Sequence, residues 1–320
     1  MCNKNKLDME HPDVTIVMSV YNAEKYLRQQ LQSLSIQTYR NWHLLVRDNG
    51  SSDKTFLILK EFQKQNGKRK ITIVKNTQNI EQVYNSFALL VDQVDTKYIM
   101  LCDGDDFWLP GKIEDAVNGI LEMERTNGGH IALLYHTDLT LVDHDLSPMS
   151  ISMWKAQRLN PKRTQAVKCL MHNHAIGNTF IFNQALKQKA LLRPNSLIMH
   201  DVFYLVIASL FGTVSYGKKS YMLYRQHENN ICGGARFYKF TNLWNKLSPS
   251  NIREALRIKS ELAAQILKIH SNEMISSDLV AFKDIASLQS ASWFKKRIYI
   301  FKHRAFMNGI LRNIGMFLFI

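Results

Sequence analysis

The first hundred residues repeat one pattern: a short run of β-branched and apolar residues, a polar loop, then apolar positions spaced three and four apart. Val14-Thr15-Ile16-Val17-Met18-Ser19-Val20 is the first run, and Tyr21-Asn22 closes it before a helical pattern from Glu24 to Ile36. Trp42-His43-Leu44-Leu45-Val46-Arg47 comes next, then the turn Asp48-Asn49-Gly50-Ser51-Ser52, with Asp53 as N-cap of a helix reaching about Gln65. A third unit runs from Ile71-Thr72-Ile73-Val74 through Asn79 to a helix ending near Val91, and Tyr98 to Cys102 gives a fourth strand. Strands alternating with helices at this spacing predict an α/β fold, a mostly parallel, doubly wound sheet with helices on both faces.

After Glu124 the pattern loosens. Ile131 to Asp138 reads as a strand that continues to Asp143 and turns at His144-Asp145, while Ser147 to Arg163 is polar and irregular and predicts a mobile loop. Ala175 to Phe182 predicts another strand, His200-Asp201 opens an apolar helix to Phe211, and Val214 to Leu223 predicts two short edge strands. Gly233-Gly234 marks a flexible exit. Residues 1–235 therefore divide from a helical extension over 236–320, in which Asn251 to His270 and Asp278 to Gln289 carry amphipathic patterns.

In open α/β sheets ligands bind beyond the carboxyl ends of the strands. The loops Ser19 to Asn22, Asp48 to Asp53 and Asp103-Gly104-Asp105-Asp106 all fall at that edge, so three loops make one site. Three carboxylates within four residues repel one another. Oxygen ligands so arranged suit a hard divalent cation, Mn2+ or Mg2+, and the ion in turn suggests a phosphate-bearing ligand. A solvated Asp/Gly turn is the other reading of the same residues. Neither a G-x-G-x-x-G fingerprint nor a Walker phosphate loop is present, which argues against dehydrogenases and P-loop ATPases.

Composition narrows the class further. With 46% hydrophobic and 21% charged residues, the 320-residue chain reads as a globular protein. Its four cysteines lie far apart, which suits a reducing compartment, and neither a signal peptide nor a run of 18 uncharged apolar residues is visible, so a cytoplasmic location is expected. The formal charge is +14. From Arg236 to Ile320 there are 14 Lys/Arg against 5 Asp/Glu, so +9 of it lies in the extension, where Trp293 to Arg304 mixes aromatics with cations. Such helices either lie on an anionic membrane face or pack on the catalytic domain or a second subunit, as in a homodimer.

Four blocks in order carry a family resemblance: Thr15 to Leu27, Gln37-Thr38-Tyr39, Arg47 to Thr55, and Asp103-Gly104-Asp105-Asp106 with Pro110-Gly111-Lys112. They resemble glycosyltransferase family 2, whose fold is the GT-A nucleotide-diphospho-sugar transferase fold. The resemblance makes residues 1–115 the nucleotide-sugar half and 116–235 the acceptor half. It assigns Val20, Tyr21 and Glu24 to the base pocket, with the Tyr21 ring stacking on the base, and Asp48 to the imide N–H of uracil or thymine. Asp103 with Gly104 would face the ribose or metal-bound water. Asp105 would ligate the ion bridging two phosphates, and Asp106 would brace the turn. Phe107 and Trp108 are either an acceptor wall or packing, and Lys112 reads as a surface lysine.

The resemblance also makes Asp201 the base that takes the acceptor proton, the other reading being a first-turn carboxylate held by the helix dipole. His200 stands beside it as acceptor contact or support. Arg225 and His227 belong to a segment expected to fold over the diphosphate, His227 as a further metal ligand, and the 147–163 loop is expected to close over the donor. His172 and His174 read as acceptor-site or structural. The implied activity is an inverting, metal-dependent glycosyl transfer from dTDP-rhamnose or a UDP-sugar to a saccharide or lipid-linked acceptor in cell-surface polysaccharide synthesis, carried out in the cytoplasm or on the inner face of the membrane. The competing readings are a basic nucleic-acid-binding protein, against which the position of the charge speaks, and a catalytically silent homologue.

Overall fold

The computed structural model describes residues 11–67, 70–74, 83–194, 200–227, 249–306 and 310–319. Asn79, Glu228 to Asn230 and Gly233-Gly234 lie outside them. Five strands and four helices form the first part: β1 (Val14–Val20), α1 (Glu24–Ser35), β2 (Trp42–Asp48), α2 (Thr55–Asn66), β3 (Ile71–Val74), α3 (Val83–Asp92), β4 (Tyr98–Cys102), β5 (Phe107–Trp108) and α4 (Lys112–Asn127). The second part carries β6 (Ala132–Val142), β7 (Pro148–Ser150), α5 (Met153–Gln157), α6 (Ala166–Met171), β8 (Ile181–Asn183), α7 (Gln184–Leu191), α8 (His200–Phe211) and β9 (Gly212–Arg225). The extension is helical: α9 (Pro249–His270), α10 (Ser276–Ala286), α11 (Trp293–Lys302) and α12 (Ile310–Phe319).

One sheet runs through the protein in the order β3-β2-β1-β4-β8-β6-β9-β5, with β7 added on β6. β1 to β4 pair in parallel, as the alternating pattern requires of strands joined by helices. Every residue of β1 and β4 is buried, which is the signature of strands covered on both faces. Val20 pairs with Asp48 and Met18 with Cys102, so these strands end together and release Tyr21, Asn49 and Asp103 on one edge. β8 enters antiparallel between β4 and β6, and β9 runs parallel to β6.

Successive residues of β1 serve two cores. Ile16 and Met18 pack with α1, α2 and α4 residues such as Leu27, Ile58 and Ile113, whereas Val17 joins α3, α6 and α8 on the other face. Each fully buried large apolar side chain contributes about 2 kcal/mol. That second core continues into the extension, because Ala263, Ile266, Phe282, Ile285 and Ile300 share it with Phe203 and Tyr204. Lys259 Nζ donates to the Met171 carbonyl, and the His270 ring meets the Leu192 carbonyl at 3.1 Å. The extension thus packs on the preceding part of the chain through one side of its helices. No helix among the described residues is long and apolar enough to cross a membrane.

Three expectations change. Val214 to Leu223 is not two short strands but the middle of the 14-residue β9, which pairs with β6 over most of its length and with β5 only at Met222 and Leu223. The 147–163 segment contains β7 and α5 rather than an open loop: Asp138 accepts from Trp154 N at 3.2 Å and from Ser152 Oγ, and Trp154 Nε1 donates to the His174 carbonyl at 2.9 Å. A buried carboxylate inside β6 is what organises this polar stretch. Lys112 is buried, not on the surface, with its ammonium 4.5 Å from the Trp108 ring centroid.

Candidate active site

The loops after β1 and β2 are knitted to each other by short polar side chains. Asn22 N donates to Ser51 Oγ at 2.9 Å, and Ser52 N returns a bond to Asn22 Oδ1 at 2.9 Å. Asp53 accepts from Thr55 N through Oδ1 and from Glu24 N through Oδ2, at 2.9 and 3.0 Å, so it serves the first turns of two helices. Glu24 Oε2 in turn accepts from Lys54 N at 2.9 Å. Glu24 therefore ties the two loops together. Asp48 Oδ1 takes both Ser51 donors, N at 3.1 Å and Oγ at 2.5 Å, a side-chain bond to the residue three positions on that closes the turn. Tyr21, 60% exposed, stands over this platform at the end of β1.

The acidic turn begins where β4 ends and sits directly on β1. A Cβ on Gly104 would come within 2.7 Å of Val20 Cγ1, so the turn lies on the Val20 side chain, which is buried and packs beneath it. Asp106 is fully buried, accepting from Arg225 N at 3.0 Å and from Asn178 Nδ2 at 2.6 Å, the bracing expected of it. Asn178 Nδ2 also reaches Asp103 Oδ2 at 2.9 Å. Burial, then the Asp105 and Asp201 carboxylates, push Asp103 up to about 7. Burial first, then Asp105 and Asp103, raise Asp106 as well. These acids crowd one another as the sequence implied.

Arg225, by contrast, is enclosed by protein. Its Nε donates to the Asp105 carbonyl at 2.8 Å, one terminal nitrogen to Gln29 Oε1 at 2.6 Å and the other to the His144 carbonyl, and its guanidinium lies 4.3 Å from the Tyr26 ring centroid. Its place is that of a clamp on the turn's backbone. Two residues on, His227 Nε2 lies 2.8 Å from Asp105 Oδ2, and its ring stacks on Tyr26 at 5.2 Å.

α8 delivers the remaining carboxylate. Asp201 is buried, and burial raises its carboxyl to about 6 against the opposing bonds from Val202 N at 2.7 Å and Asn173 Nδ2 at 3.1 Å. The loop at Gly177 closes the distance to the acidic turn: a Cβ there would meet Asp201 Cβ at 3.3 Å and His200 Nε2 at 3.0 Å, while the next residue, Asn178, holds Asp103. The His200 ring stacks on Phe87 at 4.6 Å, and burial lowers its pKa to about 4. Trp108 is fully buried. His174 is buried 5.2 Å from the His136 ring, a structural place.

The structure brings Asp103, Asp105, Asp106, Asp201 and His227 together and sets Tyr21 and Asp48 beside them. Asn178, Asn173 and Gln29, which orient these groups, carried no signal of their own beyond lying in polar loops or on α1. Among the described residues no three His, Cys, Asp or Glu side chains are placed to hold a metal ion. The Asp105–His227 pair does fit a hard ion that takes its other ligands from water and substrate phosphate, the usual arrangement for such ions at diphosphates.

Acids gathered at strand ends, an exposed aromatic beside them and a carboxylate from the facing helix define an enzyme that transfers a group from an activated donor. Residues 15–188 match the family model described as Glycosyl transferase family 2, and the chain belongs to that family. It is 26% identical over 275 residues to the dTDP-rhamnosyl transferase RfbG of Shigella flexneri, covering 81% of this chain and 91% of that protein. It is 32% identical over 114 residues to the putative glycosyltransferase EpsE of Bacillus subtilis, covering 36% of this chain and only 40% of the relative. Among solved structures, residues 1–349 of S. aureus TarS superpose with a TM-score of 0.58 at 16% identity over 91% of this chain and 72% of that one, a likeness of fold. A mannosyltransferase from Pyrobaculum calidifontis, solved with GDP-Man and Mn2+, gives 0.51 at 13% identity over 92% and 86%. The α/β fold of the GT-A type expected from the sequence is the fold observed, its sheet a mixed one in which β1 to β4 pair in parallel.

Proposed function

We propose that the protein is an inverting, metal-dependent glycosyltransferase that moves a sugar from dTDP-rhamnose or a UDP-sugar onto a saccharide or lipid-linked acceptor of a cell-surface polysaccharide. The observation that carries the reading is the approach of Asp201 on α8 to the acidic turn through Gly177 and Asn178. Likeness to RfbG over most of both chains supports dTDP-rhamnose as donor.

In this reading residues 1–115 hold the donor and 116–235 the acceptor. Tyr21 stacks on the base, and Asp48, whose Oδ1 is taken by Ser51, accepts the base imide N–H on Oδ2. Asp103 faces the ribose, and Asp105 with His227 would hold Mn2+ or Mg2+, which when bound would supply positive charge against that of the departing nucleotide. Asp201 takes the acceptor hydroxyl proton. The acceptor oxygen bonds to the anomeric carbon as the bond from that carbon to the phosphate oxygen breaks on the opposite face, and the nucleoside diphosphate leaves with the electron pair.

A donor screen tests this. Nucleotide release from dTDP-rhamnose, UDP-glucose and UDP-N-acetylglucosamine is measured with Mn2+ and a set of saccharide and lipid-linked acceptors. Acceptor-dependent release from one donor, lost on Asp201→Asn, is expected. Absence of release from every donor, or release indifferent to Asp201, overturns the proposal.

A further inference from the structure

The extension buries one side of its helices on the catalytic domain and leaves another side open. On α11, Phe294 and Ile298 are 73% and 59% exposed, one turn apart, and Phe301 continues the same exposed stripe a turn later. Trp293 meets Phe294 edge-on at 4.9 Å, and Phe301 meets Phe317 of α12 at 5.7 Å, so the stripe crosses to the second helix, where Ile314 and Leu318 are also exposed. Arg297 fastens the two helices: its guanidinium lies 3.3 Å from the Trp293 ring centroid and donates to the Phe317 carbonyl. A contiguous apolar patch on two pinned helices is more than the scattered exposure of an ordinary surface.

The rim of the patch is cationic. Lys295, Lys302 and Arg304 are exposed along it, and the acid at this end, Asp284, is already engaged by Lys302 and His303 at 2.8 and 2.6 Å. Lys296, next in the sequence, joins Arg253 in lining a surface cavity of about 380 Å³. An aromatic stripe inside a ring of Lys and Arg matches a bilayer surface, where rings enter the acyl boundary and cations meet lipid phosphates. A second copy of the chain fits poorly, because a two-fold contact would set this cationic rim against itself.

We propose that α11 and α12 form a docking surface for an anionic lipid bilayer, with Phe294, Ile298 and Phe301 as the inserting face and Lys295, Lys302 and Arg304 as the headgroup contacts. This stands independently of the glycosyl-transfer reading.

The test uses the full chain and vesicles of phosphatidylcholine with and without phosphatidylglycerol, read by co-sedimentation. Binding to the phosphatidylglycerol vesicles is expected, weakening with added salt, and at least about tenfold weaker to phosphatidylcholine alone. Phe294→Ser combined with Ile298→Ser removes exposed groups only, so the melting temperature should stay unchanged while vesicle affinity falls about tenfold or more. Lys295→Glu should weaken binding to the anionic vesicles specifically. No binding of the wild-type chain at low salt, or equal binding by the Ser variant and by Lys295→Glu, overturns the proposal. So does light scattering that shows a dimer which the Ser variant converts to monomers, since the patch is then a contact between copies.

Discussion

Asn178 donates from Nδ2 to Asp106 Oδ2 at 2.6 Å, and the same nitrogen reaches Asp103 Oδ2 at 2.9 Å. One amide from the loop before β8 thereby bridges two crowded carboxylates of the turn after β4. Asn178→Ala leaves both acids short of a buried donor, and a stability loss of about 1–3 kcal/mol is expected. Thermal melts should show it together with weaker nucleotide binding in a titration, and Asn178→Asp, which adds a third acid, should be worse. A variant that melts and binds like the wild type would remove the amide from the site's architecture.

The pH profile should report Asp201. A base with its carboxyl raised to about 6 works only when ionised. Turnover should fall about tenfold per pH unit below that value and level off above it. Asp201→Asn should cost about 10²- to 10⁴-fold in kcat with nucleotide affinity retained. The same shift has a sign for stability. The folded chain binds the Asp201 proton more tightly than the unfolded chain does, so this group's contribution to stability declines as pH rises from about 4 to about 6. Denaturant melts across that window, compared with Asp201→Asn, isolate the contribution.

Tyr21 separates binding from folding. With 60% of the residue exposed, Tyr21→Ala should change stability by no more than about 0.5 kcal/mol. Loss of a stacking partner for the base should raise the donor KM about 5- to 100-fold. Tyr21→Phe keeps the ring and should restore most of that loss in steady-state kinetics.

Gly104 is set by contact with Val20. Gly104→Ala places a methyl 2.7 Å from Val20 Cγ1, which should cost about 1–3 kcal/mol and tilt the acidic turn. Adding Val20→Ala makes room, so the double variant should recover activity relative to Gly104→Ala alone. Chemical denaturation and activity measured on the three variants test the coupling.

The β1 to β4 repeat and the acidic turn were legible because period and loop chemistry are local properties: β-branched runs and an Asp-Gly cluster read the same in any surroundings. Arg225 was not. Its sequence neighbourhood suggests an open cation, and only the pairing of β5 with β9 brings it under Asp105 and beside Gln29. Lys112 was misplaced for a similar reason, since the Trp108 ring that covers its ammonium is itself held down by that same strand pairing. The order in 147–163 was missed because a single buried acid, Asp138, sustains it from another strand. Long-range polar contacts leave no periodic trace.

Arg225 also sets when the site comes into being. It lies 120 residues after Asp105 and 196 after Gln29, yet holds both. A chain emerging from its amino end can assemble the four parallel strands early, but the acidic turn must wait for β9 before its backbone is secured. Residues 1–115 made alone would have their acids without that clamp, and the finished turn records that the segment through β9 has already folded.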